Sequence, residues 1–371
     1  MSEKSNLLAR TNTKLGLDKD THRGIIFVYC PPKVGSTSLV SSLRLSATHL
    51  FKIFHIHDET MLHILTGISG VSIQEIIDYN SSLGRNVYVI DIYREPLERK
   101  MSEYFGKLAA YHFNTSIGNV KKYHMKRLVT RFNQIFPHIA HRDYFYEKNT
   151  ELTSPPNFTF NFNTGYIVQK QENITYLKIR LRDSAEWGRI LKEVLGAEIT
   201  IIKDYQRDNL ALGDVYKAFK AGYRVPSNFI AHMQADPHFK FYLSPTEQAE
   251  YVSKLTGRST DDFSAFSVSD YKVYSTISDE NQSVRDIEAD HYFDEGCSCN
   301  LCSAVRRMVL VQIKNKMTPK FRITHPEAVS MAANKSLQPY LTPTDNAIAS
   351  RNYKVQYSTP AVTLKLNRFR R

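Results

Sequence analysis

Cysteine is scarce in this sequence, and its placement excludes a disulfide scaffold. Four cysteines occur among 371 residues, Cys30 alone and a group of three that follows His291. The group consists of Cys297, Cys299 and Cys302. Three thiolates and an imidazole are a ligand set that Zn²⁺ accepts, although no second Cys-x-x-Cys accompanies them. Unligated thiols are the favoured interpretation of this group, and a zinc site is the alternative.

Long hydrophobic runs are missing as well. No stretch of the sequence approaches the roughly 18 apolar residues of a membrane helix, and residues 1–23 lack the apolar segment of a secretory signal. The sequence therefore predicts a chain without a membrane span, which we expect in the cytoplasm, with residues 1–23 as a flexible leader. Hydrophobic residues still make up 42% of the chain and aromatic residues 12%, which suffices for a large folded core.

Acidic residues are outnumbered by basic ones. The chain has 49 Lys and Arg against 37 Asp and Glu, a formal net charge of +12. A basic surface favours anionic partners, such as nucleotides, acidic glycans, nucleic acid or a membrane surface, and the charge alone does not choose among them. No nucleic-acid-binding module is recognisable, so nucleic acid is not the expected partner.

Strand-like and helix-like patterns alternate along residues 24–257, which predicts an α/β fold with a doubly wound parallel sheet flanked by helices. Mostly apolar runs are typical of parallel strands that are buried on both faces. The runs that predict strands are 24–30, 50–56, 86–92, 175–180 and 198–202. The stretches that predict helices are 39–47, 72–80, 96–108, 120–136, 184–195 (with Asp183 as N-cap), 212–221, 226–235 and 245–255.

The composition changes after residue 257. Residues 258–290 are rich in Ser and Asp, which is typical of a linker. Residues 291–371 contain the cysteine group and a basic end. We therefore predict one large domain over 24–257, a linker over 258–290 and a C-terminal extension over 291–371 whose role the sequence does not indicate.

The sharpest local pattern is Pro32–Ser38 (PKVGSTS), which lies between an apolar strand and a helix. Gly35 lets the backbone approach an anion closely, and the loop amides with the helix N-terminus form an anion site. The hydroxyls of the following Ser-Thr-Ser add donors, and Lys33 adds a positive charge. The Walker pattern of nucleoside triphosphatases places its Lys after the second Gly, whereas Lys33 precedes Gly35.

A second pattern follows the apolar run 86–92. Arg94 stands at the end of the predicted strand, Pro96 is suited to the first position of the next helix, and Ser102 lies roughly one and a half turns into it. Arg presents a planar fork of donors to a phosphate, and the Ser hydroxyl can point back toward the strand end. This arrangement predicts a second phosphate contact beside the first.

Together the two segments resemble the nucleotide-binding motifs of sulfotransferases that use 3′-phosphoadenosine 5′-phosphosulfate (PAPS). The family's loop reads Pro-Lys-x-Gly-Thr-Thr or Pro-Lys-x-x-Ser-Thr-Ser. Its second motif reads Arg-Asp-Pro-x-x-Arg-x-x-Ser-x-Tyr, and Glu95 replaces the usual Asp here. The resemblance spans about residues 24–255. It is closest to glycan and capsular-polysaccharide sulfotransferases, which share a looser pattern like 176–183 with Trp187 soon after.

The resemblance implies a P-loop-like fold and transfer of a sulfuryl group from PAPS to a hydroxyl of an acceptor. The expected acceptor is a carbohydrate, which the basic charge allows to be anionic. No metal ion is required in this family's reaction. The residues implied in binding PAPS are Lys33, Val34, Gly35, Ser36, Thr37 and Ser38 at the phosphosulfate, with Arg94 and Ser102 at the 3′-phosphate.

Titratable side chains end the second predicted strand, beside the anion loop. His55 and His57 are two residues apart and so can share one face of the strand. A neutral His suits proton abstraction near pH 7, so we predict one of the pair as the base, with His57 favoured. Asp58 or Glu59 is the alternative, either as base or to orient the His. The resemblance gives Lys33 a second role, stabilising the bridging oxygen as the S–O bond breaks.

Two other functions remain open at this point. A P-loop nucleotide kinase or hydrolase shares the sheet and the anion loop, although the position of Lys33 and the lack of an obvious Walker-type Mg²⁺ site disfavour it. A non-catalytic polyanion-binding protein built on a sulfotransferase fold would account for the basic charge. The joint presence of Lys33, Arg94 and Ser102 disfavours that second alternative.

Overall fold

The computed structural model describes residues 2–19, 22–112, 117–140, 159–203, 212–261 and 263–280, and single positions at Leu301, Ala304, Val305 and Met308. Apart from these four positions, the predicted C-terminal extension lies outside the described residues, and so do Cys297, Cys299 and Cys302.

A five-stranded sheet forms the centre of the fold. Its strands are β1 (Gly24–Tyr29), β2 (Phe51–Ile56), β3 (Val87–Tyr93), β4 (Tyr166–Gln171) and β5 (Ile174–Arg180). Their order is β2-β1-β3-β5-β4; β4 runs antiparallel to β5, and the other neighbours are parallel. In this register Val28 lies opposite both His55 and Ile90. The carboxyl ends of the four parallel strands therefore meet at one edge.

Helices surround this sheet and also build a second core. The helices are α1 (Glu3–Lys14), α2 (Ser36–Ala47), α3 (Glu59–Thr66), α4 (Ile73–Ser82), α5 (Pro96–Gly106), α6 (Leu108–Tyr111), α7 (Ile117–Val120), α8 (Met125–Ala140), α9 (Trp187–Leu195), α10 (Gly213–Gly222), α11 (Ser227–Ala235), α12 (Pro237–Tyr242), α13 (Pro245–Thr256) and α14 (Val268–Glu280). A short parallel pair, β6 (Val225–Pro226) and β7 (Ser259–Thr260), lies apart from the main sheet. The chain is thus an α/β protein with a mostly parallel sheet flanked by helices, as the sequence predicted.

Both faces of the sheet are covered, which explains why its strands read as continuous apolar runs. On one face Ile26 and Val28 pack against side chains of α2 and α9. On the other face Ile25 and Phe27 pack against α3, α4 and the segment after α1. Burying both faces favours Ile, Val and Phe at every position of β1, rather than at alternate ones.

The N-terminal segment is not the flexible leader that we predicted. Ser2 caps α1 by accepting a hydrogen bond from the Ser5 amide, and the turn after α1 buries Leu15 and Leu17 in the core. The Asn80 side-chain amide donates to Asn12 Oδ1 at 2.8 Å in the interior. The prediction is therefore wrong over residues 3–17, because tertiary burial orders a helix with a mainly polar sequence.

The predicted linker is also partly structured. Residues 259–260 form β7, and α14 places Tyr271 and Tyr274 in an apolar cluster with side chains of α5, α8, α10 and α11. A linker is therefore wrong for residues 259–280 as far as they are described. The remaining part of that prediction, residues 281–290, lies outside the described residues.

Two predictions near the end of the sheet are wrong. Residues 198–202 form no strand, because the amides of Thr200 and Ile202 donate to the hydroxyls of Ser46 and Ser42 instead of to a neighbouring strand. Asp183 does not cap a helix: it ends a 3₁₀ turn over Leu181–Asp183, and α9 begins only at Trp187.

Among the described residues, no helix has both the length and the apolar character needed to cross a membrane.

Candidate functional site

The loop between β1 and α2 has two residues in the left-handed region of backbone space. Lys33 has φ +71° and Gly35, the N-cap of α2, has φ +91°. Val34 between them is fully buried and anchors the loop in the core. Successive amides in such a turn point into one concave space, and the first amides of α2 have no acceptor within the helix. The loop therefore has the backbone geometry that anion-binding turns use.

Gly35 cannot be replaced without moving its neighbours. A Cβ atom at this position would lie 2.6 Å from Leu181 Cδ1 and 3.5 Å from Trp187 Cη2. Trp187 is itself buried, and its Nε1–H donates to the Arg180 carbonyl at 3.1 Å. The turn after β5 thus packs against the loop at Gly35. The sequence did not predict this contact, because it predicted a helix cap at Asp183 in that turn.

Arg94 connects the two motifs directly. It follows β3, which lies beside β1, and one guanidinium nitrogen donates to the Lys33 carbonyl oxygen at 2.8 Å. This bond holds the backbone of the only non-glycine residue of the loop that has a positive φ. The remaining donors of the planar guanidinium fork extend from the same edge of the sheet.

Ser102 lies on α5 and is buried, with 7% of its surface exposed. Pro96 occupies the first turn of this helix, as predicted from the sequence. Within the described part of the chain, no hydrogen bond joins the Ser102 hydroxyl to Arg94 or to the loop. Arg94 and Lys33 are therefore brought into contact, whereas the described hydrogen bonds do not join the Ser102 hydroxyl to either.

The hydroxyls that follow Gly35 occupy the first turn of α2. Ser36 is buried beside the Cys30 thiol; burial raises the pKa of that thiol, and the Ser36 hydroxyl opposes the rise. Thr37 and Ser38 are half-buried. The Ser38 carbonyl accepts a hydrogen bond from the Ser42 hydroxyl. Ser36 thus braces the loop, and the next two residues are the more accessible donors.

His57 follows β2 and lies against the start of the loop. Its Nδ1 is 2.6 Å from the carbonyl oxygen of Cys30. A carbonyl can only accept a hydrogen bond, so Nδ1 carries the proton in the neutral ring and Nε2 has the lone pair. Burial lowers the pKa of His57 to about 4; the bond to Cys30 and the charge of Asp58 oppose this only in part, and Lys33 lowers it further.

His55 and His57 contact each other, with ring centroids 4.6 Å apart in an edge-to-face arrangement. His55 is only 1% exposed and lies inside β2. Asp58 caps α3, since its Oδ1 accepts from the Met61 amide at 2.9 Å. Asp58 and Glu59 are exposed. Of the predicted base candidates, His57 is therefore the one that bonds to the start of the loop, and its residue is only half-buried.

Paired charges lie at the sheet edge next to Arg94. Lys178 in β5 and Asp91 in β3 form an interior ion pair at 3.2 Å, and burial lowers the pKa of Lys178. Arg180 at the end of β5 pairs with Asp183 at 2.5 Å and with Glu247 at 2.9 Å. These bonds fix the turn that holds Leu181 and Trp187 under Gly35. Sequence reasoning missed this network, although Lys178 and Arg180 in an otherwise apolar strand were a signal for it.

Metal ligands are not grouped at this edge. The described residues contain no cluster of three or more His, Cys, Asp or Glu side chains suited to a metal ion. What the loop does offer is backbone amides, hydroxyls and two cationic side chains, Lys33 and Arg94. This donor set fits the phosphate and sulfate groups of an anionic nucleotide.

Comparison of the chain with models of known families, with curated proteins and with solved structures gave no match.

Proposed function

We propose that this protein is a sulfotransferase that moves a sulfuryl group from PAPS to a hydroxyl of an acceptor, most simply a carbohydrate. The observation that carries the proposal is the hydrogen bond from Arg94 to the Lys33 carbonyl. It joins two segments 61 residues apart at one edge of the sheet, and these are the segments whose residues resemble the family's two nucleotide motifs. We take the fold to be the P-loop-like version of the α/β class on the same ground.

In this proposal the loop and Arg94 hold opposite ends of the donor. The amides of the loop and the hydroxyls of Thr37 and Ser38 receive the phosphosulfate. The guanidinium of Arg94 receives the 3′-phosphate, and the Ser102 hydroxyl turns toward it when the nucleotide is bound. Arg94 would then couple the two ends, because the same side chain also fixes the loop through Lys33.

The reaction needs one bond to form and one to break. The acceptor oxygen attacks sulfur, and the bond from sulfur to the bridging phosphate oxygen breaks. The electron pair stays on that oxygen, so adenosine 3′,5′-bisphosphate leaves with an added negative charge. The Lys33 ammonium is suited to stabilise this charge as it develops.

His57 Nε2 is suited to take the acceptor's proton, because the bond from Nδ1 to Cys30 fixes the tautomer that leaves a lone pair on Nε2. A pKa of about 4 keeps the ring neutral at pH 7. Phosphosulfate charge placed beside the ring would raise that pKa and make the base stronger. His55, packed edge-to-face on His57, would position the ring.

A nucleotide kinase or hydrolase is the weaker candidate for a specific reason. Such enzymes hold Mg²⁺ with a carboxylate near the end of the strand beside the loop. Here Arg94 follows β3, and the nearest carboxylate on that strand, Asp91, is buried and paired with Lys178. The next carboxylate along the chain, Glu95, lies 3.8 Å from the Arg182 guanidinium, so both carboxylates near this strand end have a cationic partner.

Nucleotide binding tests the proposal. Calorimetric titration with adenosine 3′,5′-bisphosphate should give saturable binding. Adenosine 5′-monophosphate, which lacks the 3′-phosphate, should bind more weakly by about 1.5–3 kcal/mol, the range for hydrogen bonds to a charged group. Equal affinity for the two nucleotides, or tighter binding of ATP with Mg²⁺, would contradict the roles given to Arg94 and Ser102.

A further inference from the structure

The second core carries a strongly basic surface that the nucleotide site does not use. Between Glu103 and Asp143 the sequence contains seven Lys and Arg and no Asp or Glu. The seven are Lys107, Lys121, Lys122, Lys126, Arg127, Arg131 and Arg142. Most of the basic residues that the structure describes in this stretch lie on or just before α8. A stretch of this length without an acid is unusual in a chain where 23% of residues are charged.

Three of these cations, Lys126, Arg127 and Arg131, line an open cleft, which we call the α8 cleft. Its cavity volume is about 620 Å³, and its lining residues are His124, Lys126, Arg127, Thr130, Arg131 and Gln134. The spacing places them on one side of α8, since residues three and four apart are neighbours on a helix. Leu128 and Phe132 on the other side are fully buried in the core. The polar side of α8 is therefore held facing outward.

Aromatic rings orient the guanidinium groups of the cleft. The Arg127 guanidinium lies 3.8 Å from the centroid of Tyr123, and the Arg131 guanidinium lies 4.8 Å from that of Tyr274. Arg131 also donates to the Tyr111 carbonyl at 3.4 Å. Cation–π contacts hold a guanidinium in place without neutralising its charge. In the described part of the chain, no carboxylate pairs with Lys126 or Arg127.

The positive charges of the cleft also act on a buried histidine next to it, His112. Burial, and then the charges of Arg131 and Arg127, lower the pKa of His112 to about 4. His112 bonds to the Tyr104 hydroxyl, which also donates to the Leu128 carbonyl of α8. Tyr104 is two residues from Ser102 on α5. The cleft is thus attached to the helix that carries the proposed 3′-phosphate contact.

We propose that the α8 cleft binds a polyanionic polysaccharide through its carboxylate or sulfate groups. Guanidinium groups form paired hydrogen bonds with such groups, and two of them one turn apart on a helix suit a chain with repeated charges. The claim that this polysaccharide is the acceptor rests on the proposed function. The claim that the α8 cleft binds it is independent of the proposed function.

Nucleic acid and membranes fit the α8 cleft less well. Single-stranded nucleic acid is held by bases that stack on aromatic rings, whereas guanidinium groups already lie over Tyr123 and Tyr274. A membrane surface is bound by a helix with an accessible apolar face, whereas the apolar face of α8 is buried in the core.

Binding of labelled polysaccharides to the full chain tests the proposal. Fluorescence anisotropy would compare a dextran sulfate oligomer, an oligouronate and neutral dextran of the same length. The sulfated or the carboxylated probe should bind, and which one does identifies the group that the cleft takes. Neutral dextran should not bind. Tighter binding of a single-stranded oligonucleotide would overturn the assignment to a polysaccharide, and no saturable binding of either charged probe would overturn the site.

Matched charge removal locates the binding. Lys126→Gln with Arg127→Gln removes two exposed cations, and Gln keeps the helix propensity. Affinity for the bound probe should fall by about tenfold or more, and the slope of log affinity against log salt by about two. Lys217→Gln with Lys254→Gln removes the same charge from exposed positions of α10 and α13 and should change neither. If both double variants lose affinity for the probe equally, the binding depends only on the overall charge of the protein, and the α8 cleft is not the site.

Two further measurements keep the outcomes separate. Melting temperatures report whether the variants fold, and Arg131→Gln provides a second probe of the cleft. Titration of the wild-type chain with adenosine 3′,5′-bisphosphate tests the proposed function independently. If the nucleotide does not bind but dextran sulfate does, the proposed function fails and the α8 cleft remains. If the nucleotide binds but neither charged polysaccharide does, the proposal for the α8 cleft fails and the proposed function remains.

Discussion

Replacing Gly35 with Ala tests how the loop is held. The new Cβ would meet Leu181 Cδ1 at 2.6 Å, and the residue would have to keep φ +91°. The left-handed conformation costs a non-glycine residue about 1–2 kcal/mol, and overpacking against the half-buried Leu181 side chain adds about 1–3 kcal/mol. We therefore expect Gly35→Ala to lower the free energy of unfolding by about 2–5 kcal/mol in urea titrations.

Gly196→Ala is the matched control. Gly196 ends α9 with φ +69°, and a Cβ there has nothing within 4 Å, so this variant carries the backbone cost without the contact. The excess loss in Gly35→Ala then measures the clash. Adding Leu181→Ala removes the atom that the new Cβ meets, so the cost of Gly35→Ala should shrink in that background. Equal losses at the two glycines, or no coupling to Leu181, would refute this account of the loop.

Three more predictions follow from named contacts. Arg94→Ala should weaken binding of adenosine 3′,5′-bisphosphate by about 1.5–3 kcal/mol, and Arg94→Lys should restore only part of it, because Lys lacks the fork; full affinity in calorimetry would contradict the role. Lys33→Ala should lower turnover more than product affinity, since its charge acts mainly in the transition state; an unchanged rate at saturating donor would exclude it. The pKa of His112 is depressed to about 4 from 6.5, so the unfolded chain binds the extra proton, and this group alone should lower the stability by about 3 kcal/mol as pH drops from 6.5 to 4. His112→Gln should flatten that fall in urea titrations, and an unchanged pH profile would contradict it.

The elements that the sequence predicted well are those whose signal is local. β1, β2, β3 and β5 appear within two residues of their apolar runs, because strands buried on both faces have few polar positions to obscure the pattern. Helices with clear end signals were also found: α4 and α13 each begin with the Ser and Glu of a capping box. Elements ordered by distant contacts were missed. α1 is mostly polar, and its neighbouring Leu15 and Leu17 are buried only because the rest of the core is there.

The predictions about the candidate site show the same division between local signals and distant contacts. The sequence indicated Lys33, Gly35 and Arg94 as residue types at a spacing, and both segments were placed on the correct elements. It did not indicate that Arg94 would bond to the Lys33 carbonyl, since that depends on β1 and β3 being neighbours. It favoured His57 over His55 only by its position nearer the carboxyl end of the strand. The burial of His55 and the bond from His57 to Cys30 are properties of the folded sheet.

Transfer of labelled sulfate is the measurement that tests the central claim most directly. The purified chain would be incubated with ³⁵S-labelled PAPS and a panel of neutral and acidic glycans, beside His57→Asn. The account predicts label in at least one glycan, and a loss of turnover of roughly 10²–10⁴-fold in His57→Asn with unchanged affinity for adenosine 3′,5′-bisphosphate. Transfer at the wild-type rate by His57→Asn would contradict the proposed base. If wild-type chain binds adenosine 3′,5′-bisphosphate no more tightly than adenosine 5′-monophosphate and labels no acceptor, the sulfotransferase assignment is wrong.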